Sequence, residues 1–377
     1  MSIDYKKTKL WEKTLGQKKH KYKSEIEQLR VSFESVHEEA SYLAGTIKVK
    51  FFEYTDHTVE HADALWNMAD IILEESDIKL NPAEAYVLGC SFLLHDLGMS
   101  CAIYNNEDEL RNTTQWRDIA ASLKRKGLKE DDILKRADLE ALRLLHPENA
   151  IKLPTLLFDK NGQKEYIIKE SKFRAGFGEI IGNLAYSHGL SVRKLENLFP
   201  EPSVGSIPSL PREWEVNPIK LACILRIADA IHISSDRTPP ILMASTEFGE
   251  VSKLHWGFQA KMKPPCCDKG QLAFPSNTFN KDNREEWWTC FDTLKMIDRE
   301  LREVNALLGR RNLPPLAVAN VKNIEDPKYL ADIVKVDGWT PVEANMKVSN
   351  VSGLVKSLGG SALYGNNAIV PLRELVQ

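Results

Sequence analysis

The sequence contains no C-x-x-C pair. Its six cysteines (Cys90, Cys101, Cys223, Cys266, Cys267 and Cys290) are scattered, which excludes a zinc ribbon and a thioredoxin-type redox motif. Cys90 and Cys223 lie inside apolar runs and read as small buried hydrophobes. No stretch approaches the roughly 18 consecutive apolar residues needed to cross a bilayer. The first residues, Met1 to Lys23, carry no apolar signal core, so a cytoplasmic protein is expected. Strong net charge is also missing: the balance is -3, which gives no global pull toward nucleic acid or an anionic membrane. A local basic groove stays open. There is no internal repeat and no low-complexity tract.

What is present is ordinary soluble-protein material. The 377 residues are 43% apolar and 27% charged, enough to bury a large core without covalent staples. The expected fold class is mainly α: a helical bundle with a small β-rich subdomain and a C-terminal α/β piece. Residues 1–45 read as a helical lead, with Leu29, Phe33 and Val36 as its apolar period. Residues 46–240 read as a helical domain. Its runs are His57–Glu75, Ala83–Asp96, Ile133–His146, Phe177–His188 and Pro218–His232. Asn81-Pro82 suits a helix start, because Asn caps and proline fits the first turn. Residues 241–312 read as a β-rich insert, with Leu254–Met262 as a β-like run, followed by a long helix over Glu285–Leu308. Residues 313–360 read as a small α/β piece.

Three places in the helical domain put ionisable groups inside apolar walls. The first is Ser91-Phe92-Leu93-Leu94-His95-Asp96-Leu97-Gly98. Burying an imidazole and a carboxylate is costly unless each has a partner, and a divalent metal satisfies both. The second is Asp56-His57-Thr58-Val59-Glu60-His61-Ala62, where His57 and His61 are four apart and share a helix face. One can bind metal while the other stays free for proton transfer. The third is Leu225-Arg226-Ile227-Ala228-Asp229-Ala230-Ile231-His232. Here a local Arg226–Asp229 ion pair is the competing explanation, since i,i+3 partners can meet. His146 and His188 sit late in two further apolar helices.

The order His61, His95-Asp96, Asp229 resembles the H…HD…D signature of the HD superfamily of metal-dependent phosphohydrolases, over roughly residues 50–237. Asp-His-x-x-x-His-Ala is also similar to the start of the cyclic-nucleotide phosphodiesterase site. The resemblance implies His61, His95, Asp96 and Asp229 as ligands of one ion, with His57 as general acid and Asp96 within the catalytic centre. His146 and His188 resemble the extra histidines of two-metal members, with Asp96 bridging. The Gly-Tyr-Pro motif of the cyclic-di-GMP hydrolases is missing. One or two divalent ions are implied, and the ligand types suit Mn, Fe, Mg, Co, Ni or Zn without choosing among them. Arg143, Arg226 and His232 are candidates for substrate contact. Lys172 and Arg174 could serve the same purpose from a loop.

The far C-terminus, Ser361-Ala362-Leu363-Tyr364-Gly365-Asn366-Asn367 with Pro371-Leu372-Arg373-Glu374-Leu375, resembles the first motif of GHKL ATPases of the heat-shock-chaperone branch. It implies that residues 361–377 begin an ATPase domain cut short at Gln377, as in prokaryotic conflict and defence proteins. Two functions follow. One is hydrolysis of a phosphoester in a nucleotide or cyclic nucleotide. The other is a metal-stapled sensor module controlling the linked ATPase. The expected partners are a phosphorylated small molecule and that ATPase, with no membrane. The near-neutral charge does not favour nucleic acid, and a homo-oligomer is compatible with the sequence.

Overall fold

The computed structural model describes residues 4–50, 59–104, 106–235 and 250–342. They are mainly helical, with two small sheets. Residues Met1–Thr340 form one compact unit and Pro341–Gln377 a second. In chain order the first half holds α1 (Lys9–Lys13), α2 (Lys23–Lys50), α3 (Val59–Leu73), α4 (Pro82–Leu94), α5 (Glu107–Arg111), α6 (Thr114–Arg125) and α7 (Glu130–Ala150). A hairpin of β1 (Leu157–Lys160) and β2 (Gln163–Tyr166) precedes α8 (Ser171–Ser187), α9 (Val192–Leu198) and α10 (Pro218–Ile231). Then come α11 (Glu250–Lys261), β3 (Cys266–Asp268), β4 (Gln271–Ala273), α12 (Arg284–Arg310), β5 (Asn320–Val321) and α13 (Pro327–Leu330).

The core explains the arrangement. Every residue of α4 is buried, so this helix is the axis of the bundle. Helices α2, α3, α8 and α10 pack around it, each turning an apolar stripe inward. Leu29, Phe33 and Val36 of α2 are fully buried there. The start of α4 is a capping box: the Asn81 side chain accepts from the Glu84 N–H at 3.0 Å, and Glu84 accepts from the Asn81 N–H at 3.2 Å. The same carboxylate accepts from the Asn217 N–H at 3.0 Å and from Lys220 Nζ at 2.7 Å. Glu84 therefore ties together the first turns of α4 and α10. Those two helices deliver His95, Asp96 and Asp229 at their other ends.

Three local expectations are corrected. Leu254–Lys261 is helical, within α11, and is not a β-like run; only Met262 makes a β-type bridge, to Ser276. Its apolar residues alternate along the chain, but burial is contiguous from Trp256 to Gln259 because α11 lies along α12. Tertiary packing overrides the period-2 pattern. The helical texture of 51–237 is broken by the β1–β2 hairpin, whose Asn161-Gly162 turn has positive φ at both residues, 55° and 84°. Lys172 and Arg174 lie in the first turn of α8 and not in a loop. Arg174 stacks on Tyr166 at 3.8 Å and donates to the Ile168 carbonyl, while Lys172 bonds Gln28.

Strand β4 pairs antiparallel with β3 and parallel with β5, so residues 320–321 complete a sheet begun at 266. Among the described residues no helix is long and apolar enough to cross a membrane.

Candidate metal centre

Six of the expected ligands converge in two groups. His61, His95 and Asp229 each bring a donor atom within 4.8 Å of the other two, and so do Asp96, His146 and His188. His61 comes from the first turn of α3, His95 and Asp96 from the end of α4, and Asp229 from the last turn of α10. His146 lies in α7 and His188 caps α8.

Asp96 stands between the groups. Its Oδ2 lies 3.3 Å from His95 Nε2 and 3.7 Å from His61 Nε2. Its Oδ1 lies 3.6 Å from His146 Nε2 and 3.9 Å from His188 Nε2. Asp229 Oδ1 closes the first group at 3.2 Å from His61 Nε2.

The tautomers are set by the backbone. His95 Nδ1 faces the Phe92 carbonyl at 2.9 Å, His146 Nδ1 the Arg143 carbonyl at 2.6 Å, and His188 Nδ1 the Ala185 carbonyl at 2.5 Å. A carbonyl only accepts, so each Nδ1 carries a proton and each Nε2 turns inward. His146 Nε2 and His188 Nε2 are then 2.9 Å apart, and His61 Nε2 and His95 Nε2 are 3.3 Å apart. Two inward lone pairs at such distances repel unless positive charge lies between them. The donor set therefore fits divalent cations, held by neutral imidazoles and carboxylates.

Burial and the neighbouring charges shift the protonation of these groups in different directions. Burial opposes charge on His95, yet Asp96 and Asp229 raise its pKa well above the ordinary imidazole value. Asp229 is held well below the usual carboxylate range: burial works against its charge, but His61 and His95 outweigh it. His188 is pushed down to about 4 by burial and by the positive His95, so its Nε2 lone pair is available at neutral pH.

Two candidates for substrate contact are found in other places. Arg226 is buried, with Nε 2.6 Å from Glu300 Oε1 and Nη1 2.5 Å from the Ser187 carbonyl. It pairs with neither Asp229 nor open solvent; Asp229 is engaged by His61 and His95. His232 is buried at 4% exposure, stacked on His61 with a 6° interplanar angle, its Nδ1 2.8 Å from His61 Nδ1. Neither side chain is placed to grip a phosphate.

In the tautomer in which His61 Nδ1 carries the proton, His232 Nδ1 takes the accepting place that a carbonyl takes for the other three histidines. With its Nδ1–H donated to His232 Nδ1, the His61 Nε2 lone pair faces the centre. His232→Ala is expected to weaken metal binding by about 10–100-fold, as for other groups that orient a metal ligand. Titration of the metal-stripped protein checks this, and equal affinity in variant and wild type would remove the role.

Arg143 is exposed on α7, one turn before His146. His57 and the C-terminal segment 361–377 lie outside the described residues. Sequence reasoning missed three supporting groups. Glu300 is 74 residues from its partner. Asn149 donates to the Gly98 carbonyl at 3.1 Å, and Gly98 itself lies against the His146 carbonyl. Only Gly98 had a local signal, its place directly after the His-Asp-Leu run.

Comparison with protein families gives a match to the model described as HD-CE over residues 51–303, more than half of the chain. That span runs beyond the ligand helices through α11 and most of α12. Comparison with curated proteins and with solved structures gave no match.

Proposed function

The chain belongs to the HD-CE family, and from that premise we propose that it is a metal-dependent phosphohydrolase acting on a phosphoester of a nucleotide or cyclic nucleotide. The observation that carries this reading is the Asp96 carboxylate, whose two oxygens face two different groups of imidazoles. Such a bridge suits a pair of ions in a hydrolytic centre. A single structural ion has no use for it. When bound, divalent ions supply a water activated at neutral pH and positive charge for the phosphoryl oxygens.

The chain's own groups do the rest. His61, His95 and Asp229 hold one half of the centre, and His146 and His188 the other, with Asp96 shared. His57, four residues before His61, donates a proton to the leaving oxygen. Arg143, exposed beside His146, contacts the phosphate.

The test begins with metal-stripped protein reloaded with Mn, Fe, Co, Ni, Mg or Zn, one at a time. Nucleoside mono- and triphosphates and cyclic nucleotides are then offered. Product release is expected with at least one metal and is expected to stop on chelation. His57→Ala is expected to keep its metal and lose turnover. Release that survives chelation would overturn the reading. Tight metal binding with no release from any nucleotide would overturn it too, in favour of the metal-stapled sensor.

A further inference from the structure

Helix α10 reaches both halves of the centre. Asp229 in its last turn enters the first group, and Arg226, one turn earlier, reaches the end of α8. The last carbonyls of a helix have no partner within it. Arg226 Nη1 donates to two of them, Ser187 O at 2.5 Å and His188 O at 3.3 Å. Its positive charge also suits a helix C-terminus. The other edge of the guanidinium is closed by Glu300 of α12, whose Oε1 lies 2.6 Å from Nε and 2.5 Å from Nη2.

His188 is the residue being held. It caps α8, its own Nδ1 donates back to Ala185, and its backbone is gripped by Arg226. Its Nε2 then meets His146 at 2.9 Å. The chain of contact is continuous: α12, Glu300, Arg226, the end of α8, then the His188 imidazole. Among the described residues, His61 Nδ1 meets His232 and His95 Nδ1 meets the Phe92 carbonyl instead.

We propose that Arg226 and Glu300 are a positioning pair through which α12 sets the affinity of the Asp96–His146–His188 half-site. This rests on the two-ion reading above. The pair touches neither ion nor substrate. Its effect on the second ion comes from fixing the backbone of His188. It also gives the long helix outside the ligand bundle a control over whether the centre is fully loaded.

The experiment counts Mn per chain and records the electron paramagnetic resonance of wild type, Glu300→Gln, Arg226→Lys, Arg226→Met/Glu300→Met and His188→Ala. Wild type is expected to bind two ions with a spin-coupled signal. In both single variants the first ion should bind as in wild type. The second should weaken about 10–100-fold, the range for groups that orient a ligand, and the signal should turn into that of an isolated ion. His188→Ala should do the same. The double methionine variant removes the buried Arg226 charge and its half-buried Glu300 partner together, so it can regain melting temperature, but its second ion should stay weak. Recovery of the second ion along with stability would reduce the pair to a structural role and overturn the proposal. So would unchanged second-ion binding in Glu300→Gln, the mildest variant, or equal weakening of both ions. A wild type that holds only one ion would overturn the two-ion reading itself and the proposal with it.

Discussion

Asp96→Ala is expected to empty both half-sites at once. Every other proposed ligand belongs to one group only, so His188→Ala should cost one ion and His61→Ala chiefly the other. Asp96 offers one oxygen to each group. Losing a group that merely orients a ligand costs about 10–100-fold in affinity; losing a shared ligand should exceed that for both ions. Turnover should fall on the order of 10³-fold, the upper range for removal of one preorganised electrostatic group. The fold should survive, because Asp96 sits at the rim of the apolar wall and Leu94 and Leu97 on either side stay buried. Metal counting and a melting curve on the same sample check all three statements. A variant that retains two ions would show that the carboxylate bridges nothing.

Gly98→Ala should do damage of a different kind. A Cβ at this position would lie 1.9 Å from the His146 carbonyl oxygen and 2.7 Å from its carbon. Real contacts of this sort are not closer than 3.0 Å, so something must move by about 1 Å or more. The neighbour is backbone in the last turns of α7 and cannot swing aside as a side chain would. Overpacking of this sort costs roughly 1–3 kcal/mol. Its functional cost is larger, since a site has to be held within about 0.5 Å of its productive geometry. The variant should melt earlier than wild type and lose the ion shared by Asp96, His146 and His188, while the His61–His95–Asp229 group is kept. Wild-type melting together with wild-type metal content would show that α7 has room to retreat.

Much of the centre could be read from the chain because its ligands break strong local rules. A histidine and an aspartate at the end of an unbroken apolar run, or an aspartate inside one, need a partner, and the pattern announces it. His95, Asp96 and Asp229 were legible in this way, and the four-residue spacing from His57 drew attention to His61. Arg226 and His232 were noticed for the same reason, but their partners were not. Glu300 is a polar residue on a long amphipathic helix and differs from its neighbours only by where α12 docks. Nothing local distinguishes an arginine that grips a helix end from one that grips phosphate.

In the fold, the mainly helical class followed from period and length. The errors came where two signals competed. Leu254, Trp256 and Phe258 alternate like a strand, and only the docking of α11 on α12 makes them a helix. Asn161-Gly162 carried a hairpin signal of its own, outweighed by the helical texture around it.

The knot at Glu84 says something about time. Its carboxylate joins the first turns of α4 and α10, at the ends remote from the ligands, using only backbone N–H groups and Lys220. The depth to which each helix projects its last turn is thereby decided by protein contacts alone. Helix α4 is buried along its whole length and needs no ion to bury itself. His95, Asp96 and Asp229 should therefore already stand in place in a freshly folded chain. An ion bound by the proposed centre would then arrive late, at a finished seat, and could leave again without unfolding what it leaves behind.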